Sequence, residues 1–228
     1  MKYNILKDRI LEPNLTELIL KYSDAAGAGV TPEQAELFRR HIELMLDWNR
    51  RINLTRITDP DEIVVKHLLD SILPAPALPQ SGFALDVGTG AGFPGIPLKI
   101  FRPDLEVVLL DSSRKKISFL TAAIAALGLK GTRAIHGRWE DFAAAGANQG
   151  HFQLITMRAV RLEPEHITIL AAKVLKPGGL FAWWSGPESG PAPSVPAAST
   201  HVTSCPEFPY VLPGIEKTRS VRLWNKLS

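Results

Sequence analysis

One stretch constrains the fold of this chain more than any other: Ala84-Leu85-Asp86-Val87-Gly88-Thr89-Gly90-Ala91-Gly92-Phe93-Pro94-Gly95. An apolar run ending in an acid passes into a glycine-rich turn, and a helical pattern follows. Glycines at such a junction let the backbone turn tightly and let a ligand approach without Cβ obstruction. The flanks repeat the theme. Strands are expected at Phe83–Val87, Glu106–Asp111, Thr132–His136, Phe152–Met157 and Gly179–Trp184, and helices at Gly95–Phe101, Arg114–Leu127 and Pro164–Leu175. Alternation of this kind predicts an α/β fold, a parallel sheet with helices on both faces.

Three ligand classes compete for the glycine loop. A nucleoside-triphosphate loop needs G-x-x-x-x-G-K-[ST], and the Lys-Ser/Thr pair is absent. A dinucleotide fingerprint needs G-x-G-x-x-G/A, and after Gly88 and Gly90 the third position holds Phe93. A pyrophosphate would also lie badly beside Asp86. The same acid suits a cationic ligand. S-adenosylmethionine (SAM) carries an ammonium and a sulfonium and no phosphate, so Asp86 could hold its amino-acid end directly or through water. Asp111, 21 residues after Gly90, ends the next strand and is placed to accept hydrogen bonds from ribose hydroxyls.

Residues 1–80 read differently, as a helical N-terminal extension to an α/β unit at 81–228. Leu15, Leu18, Ile19 and Tyr22 recur at helical spacing. Thr31-Pro32-Glu33 has the form of an N-cap with proline in the first turn. A helix should run from there to about Arg51, with Leu37, His41, Leu44, Met45 and Trp48 on its stripe. Asp59-Pro60-Asp61-Glu62 opens another, reaching about Leu73. Pro187 to Pro196, with four prolines, reads as a surface loop, and Tyr210–Leu212 with Ser220–Leu227 as a closing hairpin.

Composition narrows the setting. A 228-residue chain with 45% hydrophobic and 21% charged residues is an ordinary globular one. No apolar run is long enough to span a bilayer, and Met1–Leu20 has no signal-peptide core. One cysteine, Cys205, excludes an internal disulfide and a multi-cysteine zinc site, and no metal site is expected. A cytoplasmic monomer is the expectation. Charge is uneven: residues 1–80 hold 10 Lys/Arg against 12 Asp/Glu, while 81–228 hold 16 against 11. Either the second segment is drawn to a polyanion or the asymmetry is scatter, and composition alone does not choose between the two.

The block from Asp86 to Leu98 closely resembles the RsmG (GidB) family of ribosomal RNA methyltransferases. The resemblance extends through Asn53-Leu54-Thr55, His67-Leu68-Leu69-Asp70-Ser71, Leu110-Asp111-Ser112, Gly137-Arg138-Trp139-Glu140-Asp141-Phe142, Thr156-Met157-Arg158-Ala159, Pro213-Gly214 and Arg219. It implies a Rossmann-like SAM-dependent methyltransferase fold with a mostly parallel seven-stranded sheet. It implies methyl transfer from SAM to N7 of a guanosine in the decoding-region loop of 16S rRNA, with that RNA or the small ribosomal subunit particle as partner. Cofactor contacts carried over by position are Gly88, Phe93, Trp139, Glu140 and Arg158, with Phe93 against the cofactor and Trp139-Glu140 flanking the adenine. With the loop and strand-end positions, the cofactor set becomes Asp86, Gly88, Gly90, Gly92, Phe93, Asp111, Ser112, Trp139, Glu140 and Arg158. Arg138 and Arg158 match basic positions at the catalytic cleft. One departure stands out: Trp184-Ser185-Gly186 occupies the place after the fifth strand where many relatives carry a lysine.

Reaction type can also be argued from the residues. Exocyclic-amine methylases usually carry [N/D/S]-P-P-[Y/F] after the fourth strand, where this chain has Met157-Arg158-Ala159-Val160. Carbon methylation of pyrimidines needs a cysteine nucleophile, and Cys205 lies late in the chain. Guanine N7 needs neither, because it has a free lone pair and loses no proton on attack. Arg158 is then a positioner through O6, phosphate or the SAM carboxylate. The remaining candidates have ordinary readings beside functional ones: His41 as core, His67 as a partly buried helix residue or a cleft contact, and Arg50, Arg51 and Arg56 as a solvated helix end or an RNA edge. Lys115-Lys116 and the tail cluster Lys217, Arg219, Arg222 and Lys226 divide the same way. Two other classes remain open: a small-molecule methyltransferase with the N-terminal helices as its lid, and a non-catalytic SAM or RNA binder.

Overall fold

The computed structural model describes residues 14–160, 163–185 and 202–227. The proline-rich loop expected at 187–197 and the first 13 residues lie outside the described residues. The N-terminal elements are α1 (Leu15–Ala25), α2 (Pro32–Asn49), α3 (Pro60–Ile63) and α4 (Asp70–Ile72). The α/β unit follows as β1 (Gly82–Val87), α5 (Gly95–Phe101), β2 (Leu105–Asp111), α6 (Arg114–Leu127), β3 (Thr132–His136), α7 (Trp139–Ala144), β4 (Phe152–Arg158), α8 (Pro164–Val174) and β5 (Leu175–Ser185). The antiparallel strands β6 (Val202–Ser204), β7 (Phe208–Tyr210) and β8 (Arg219–Lys226) close it.

The sheet order is β3-β2-β1-β4-β5-β8-β6, parallel from β3 to β5, with β7 also on β8. The expected seven-stranded sheet has eight strands for a simple reason. β6 pairs with Trp224–Lys226 and β7 with Arg219–Val221, so two short strands share the seventh position along one edge of β8. Strand order reverses between β1 and β4. In open α/β sheets, ligands bind at the carboxyl ends of the strands beside such a switch point.

Period-2 alternation sends the strands' side chains into two apolar layers. Val107, Leu109, Leu154 and Ala182 pack with Phe119 and Leu120 of α6 on one face. Val108, Leu110, Ile155 and Phe181 pack with Phe142, Leu170 and Trp224 on the other. The first layer continues without a break into the N-terminal helices through Ile19, Phe38, Met45 and Leu68. Polar ties reinforce the join: Gln34 Nε2 donates to the carbonyls of Ile100 and Phe101 at the end of α5, and Arg40 donates to Ala126 O at the end of α6. These carbonyls have no partner within their own helices, so α2 caps both.

The structure revises two N-terminal expectations. On α2 the fully buried stripe is Phe38, His41, Ile42 and Met45, while Leu37, Leu44 and Trp48 are half-buried. The helix is rotated because it packs on α1, α5 and α6 together. The helix expected from Asp59 to Leu73 is interrupted by a π-turn, Val64–Leu69, between α3 and α4. Such turns insert an extra residue and redirect the side chains and carbonyls around it.

Candidate functional site

The glycine loop hangs from the end of β2. Gly88 N–H and Thr89 N–H donate to Leu110 O at 2.8 and 3.2 Å, and Gly90 N–H donates to Asp111 Oδ2 at 3.0 Å. Gly88, Gly90 and Gly92 have φ of 67°, 60° and 87°, the left-handed region that favours glycine. Asp86 is placed differently from its expected role at the ligand's cationic end. It is 0% exposed, and its carboxylate accepts from Thr89 Oγ1 (2.5 Å), Gly95 N–H (2.9 Å) and Thr156 Oγ1 (2.9 Å). It therefore stitches β1, the loop, α5 and β4 together. Burial pushes its carboxyl up to about 6, and these hydrogen bonds oppose that rise.

Beside the loop lies a cleft of about 360 Å³, lined by Gly88 just after β1, Asp111 and Ser112 at and just after the end of β2, Arg138, Trp139 and Glu140 after β3, and Ala159 and Val160 after β4. Asp111 Oδ1 also accepts from Ser113 N–H (2.9 Å), and Lys116 Nζ lies 3.6 Å from Oδ2. Each carboxylate oxygen keeps capacity for a further hydrogen bond, as a ribose diol requires. Trp139 opens α7 and packs on His166 at a centroid distance of 5.3 Å. Ala159 has φ of 57°, unusual for a residue with a side chain, and Val160 lies where a Cβ on Gly88 would point.

A second polar cluster sits where the N-terminal helices meet the ends of β4 and β5. Phe93 is buried between the rings of His41 (5.0 Å) and His67 (4.9 Å), with the Arg158 guanidinium 5.3 Å from its centroid. Arg158 Nη1 donates to Asp70 Oδ2 (3.0 Å) and to the π-turn carbonyl of Lys66 (3.3 Å), and Nη2 donates to His67 Nδ1 (3.2 Å). A donor facing Nδ1 places the His67 proton on Nε2, which lies 2.9 Å from Thr55 Oγ1. Burial, helped by Arg158, pushes His67 down to about 3. His41 faces Ala91 O at 3.0 Å, which fixes its proton on Nε2, and burial lowers it to about 4. Both imidazoles are neutral props of the loop.

The cleft thus unites Gly88, Asp111, Ser112, Arg138, Trp139 and Glu140. Gly90 touches it through Asp111, whereas Gly92 turns under α5, and Phe93 and Arg158 belong to the second cluster. Arg138 and Arg158 are not brought together: β3 and β4 lie three strand positions apart, about 14 Å. The tail cations are also engaged internally. Arg219 pairs with Asp70, Arg222 with Glu207, and Lys226 donates to Ala172 and Leu175 carbonyls. Cys205 lies between β6 and β7, away from the cleft. Sequence reasoning missed Asp70, Tyr210 and Trp184, which meet in this second cluster from distant parts of the chain. Asp70 stood inside a quoted motif, and that was its only signal. Among the described residues, no group of His, Cys, Asp and Glu could hold a metal, and no helix is long and apolar enough to cross a membrane.

Residues 34–191 match the family model GidB, rRNA small subunit methyltransferase G. "Ribosomal RNA small subunit methyltransferase G 1" of Syntrophobacter fumaroxidans is 49% identical over 202 residues, covering 87% of this chain and 91% of that protein. "Ribosomal RNA small subunit methyltransferase G" of Streptococcus thermophilus is 42% identical over 158 residues, covering 67% and 65%. Among solved structures, a SAM-dependent methyltransferase from Aquifex aeolicus aligns with a TM-score of 0.53 at 17% identity, over 75% of this chain and 94% of that one.

Proposed function

The chain belongs to the rRNA small subunit methyltransferase G family and is a SAM-dependent rRNA methyltransferase, and from that premise we propose that it methylates N7 of a guanosine in the decoding-region loop of 16S rRNA. The observation that carries the choice of atom is the end of β4. Met157-Arg158-Ala159-Val160 lacks the [N/D/S]-P-P-[Y/F] sequence that grips an exocyclic amine, and its one polar side chain, Arg158, can only donate; Cys205, between β6 and β7, is remote from the cleft.

N7 attack suits such a site. One bond forms, from N7 to the methyl carbon, and one breaks, from that carbon to sulfur. The positive charge passes from the sulfonium to the guanine ring, and no proton leaves in the transfer, so no general base is needed. Catalysis then rests on alignment of N7, methyl and sulfur. Asp111 and Ser112 take the ribose end of SAM, Trp139 and Glu140 flank its adenine, and Gly90, whose Cβ direction is open, allows close backbone approach, while Gly88 lines the cleft and leaves room for Val160. Arg158 directs its guanidinium to O6 or a phosphate of the target, leaving the N7 lone pair free.

The RNA is gripped from both sides of the cleft. Arg50, Arg51 and Arg56 are exposed at the end of α2 and in the loop after it. That loop is tied to the second cluster by Thr55, whose hydroxyl meets His67. On the opposite wall the exposed Arg138 of the cleft lining meets the RNA. The continuous core beneath α1–α4 argues against the N-terminal helices acting as a lid over a small substrate, because opening would expose Phe38, Met45 and Leu68 to water. The substrate, 16S rRNA or the small-subunit particle, sets the enzyme in the cytoplasm, and it works as a monomer.

The test is transfer of labelled methyl from SAM to RNA and to small-subunit particles from cells lacking this protein. Label confined to one nucleotide of 16S rRNA is expected. Label only in small molecules would reverse the assignment.

A further inference from the structure

Asp70 is 3% exposed, yet it faces cations and donors from four strands. Its Oδ1 accepts from the Tyr210 hydroxyl at 2.7 Å and lies 3.2 Å from Arg219 Nε. Its Oδ2 accepts from Arg158 Nη1 at 3.0 Å, and its backbone carbonyl accepts from the Trp184 indole N–H at 2.6 Å. A buried carboxylate is costly unless it is paired and hydrogen-bonded, and apolar groups of the same volume often stabilise a core as well or better. Stability alone therefore does not explain this arrangement. Its geometry does have a focus. Asp70, the Lys66 carbonyl, His67 Nδ1 and the Phe93 ring together leave the planar Arg158 guanidinium little freedom. Asp70 directly follows the π-turn, and such turns are frequent at functional sites.

We propose that Asp70 is a positioning residue for methyl transfer: carried in by the π-turn of the N-terminal extension, its carboxylate fixes the Arg158 guanidinium in the orientation that meets the target nucleotide. Tyr210 and Arg219 hold Asp70 in turn. The N-terminal extension then completes the active site rather than covering it. The proposal rests on the reading that Arg158 contacts substrate.

Four proteins test it in single-turnover methyl transfer at saturating SAM and RNA: wild type, Asp70→Asn, Arg158→Ala and the double variant. Asp70→Asn should slow transfer by about tenfold or more while SAM affinity stays within about twofold. The double variant should be no slower than Arg158→Ala, because the carboxylate has nothing left to orient. Added methylguanidinium should restore part of the activity of Arg158→Ala and none to the double variant, a difference that a merely structural Asp70 would not produce. Losses that multiply in the double variant, or rescue that ignores residue 70, would overturn the proposal. Full activity in Arg158→Ala would refute the Arg158 reading by itself. A slow Asp70→Asn in that case would show that Asp70 acts by another route, and a fast one that it positions nothing. If Asp70→Asn does not fold, Tyr210→Phe weakens the same anchor. It should give a smaller loss that also disappears in the Arg158→Ala background, and a loss that persists there would refute the proposal.

Discussion

Gly90 N–H donates to Asp111 Oδ2 at 3.0 Å, so the turn after β1 and the acid that ends β2 form one unit. The glycine that lets a cofactor approach is thereby fixed to the carboxylate placed to receive its ribose. A Cβ on Gly90 would meet nothing of the protein closer than Gly88 O at 3.9 Å, so a side chain there would project into open space. Gly90→Val should therefore abolish SAM binding through obstruction and left-handed backbone strain, with the fold retained. Calorimetry checks this, and unchanged affinity would remove Gly90 from the cofactor site.

Gly95 should behave in the opposite way. Its Cβ would press on Leu109 Cδ2 and come within 2.7 Å of Asp86 Oδ2, inside the stitch between β1 and α5. Gly95→Ala should cost stability of ~1–3 kcal/mol, as overpacking of a tight core does. Urea unfolding reads the loss directly, and an undisturbed midpoint would mean that the junction has room to relax.

Acid stability carries the marks of the buried groups. His41 and His67 are neutral in the fold, pushed down to about 4 and about 3, while the unfolded chain protonates both near 6.5. Below that pH the unfolded state takes up protons that the native state refuses, so stability falls as pH falls. Asp86 works in reverse: with its pKa raised to about 6, the native state holds a proton between about pH 6 and 4 that the unfolded state releases. It offsets one of the two histidines. His41→Gln should flatten the slope of unfolding free energy against pH by close to one proton, ~1.4 kcal/mol per pH unit, over pH 4–6. Urea titrations at several pH values measure it, and parallel slopes would mean that His41 is already charged in the fold.

Local patterns made much of this protein legible. β3, α5 and α6 begin and end where the apolar periodicity and turn residues place them. The glycine loop reads as a strand-to-helix turn because three glycines follow an apolar strand, and its φ angles explain why. α7 was missed because it is a single short helix without a side-chain cap. The π-turn was missed because Val64, Val65, Leu68 and Leu69 read equally well as an ordinary amphipathic helix. The Asp70 cluster was beyond sequence reasoning: Arg158, Trp184, Tyr210 and Arg219 lie 88 to 149 residues after Asp70, and only the stacking of the extension on the sheet brings them together. Asp86 shows the converse limit. Its place before the glycines is visible in the sequence, but its inward orientation follows from Thr89, Gly95 and Thr156 closing around it.

The exposed arginines at the end of α2 give a prediction for RNA. The Arg50 side chain is 82% exposed, and the nearest acid, Asp47, is 3.9 Å away. A pair so exposed contributes little to stability. Replacing Arg50 and Arg51 with alanine should weaken RNA binding and reduce the salt dependence of its affinity by about one to two ions, with SAM affinity unchanged. Filter binding across a salt series, with a SAM titration as control, distinguishes this from a solvated helix end, for which the slope would not move.

The identity of the methylated atom tests the central claim most directly. Small-subunit particles from cells lacking the protein should be methylated in vitro with SAM, and the 16S rRNA then treated with borohydride and aniline, which cleave the chain at N7-methylguanosine. A single new cleavage in the decoding-region loop, in step with label incorporation, is the expected result. Incorporation without cleavage, with the methyl recovered on an exocyclic amine or a ring carbon, would contradict N7 transfer and the reading of the β4 end on which it rests.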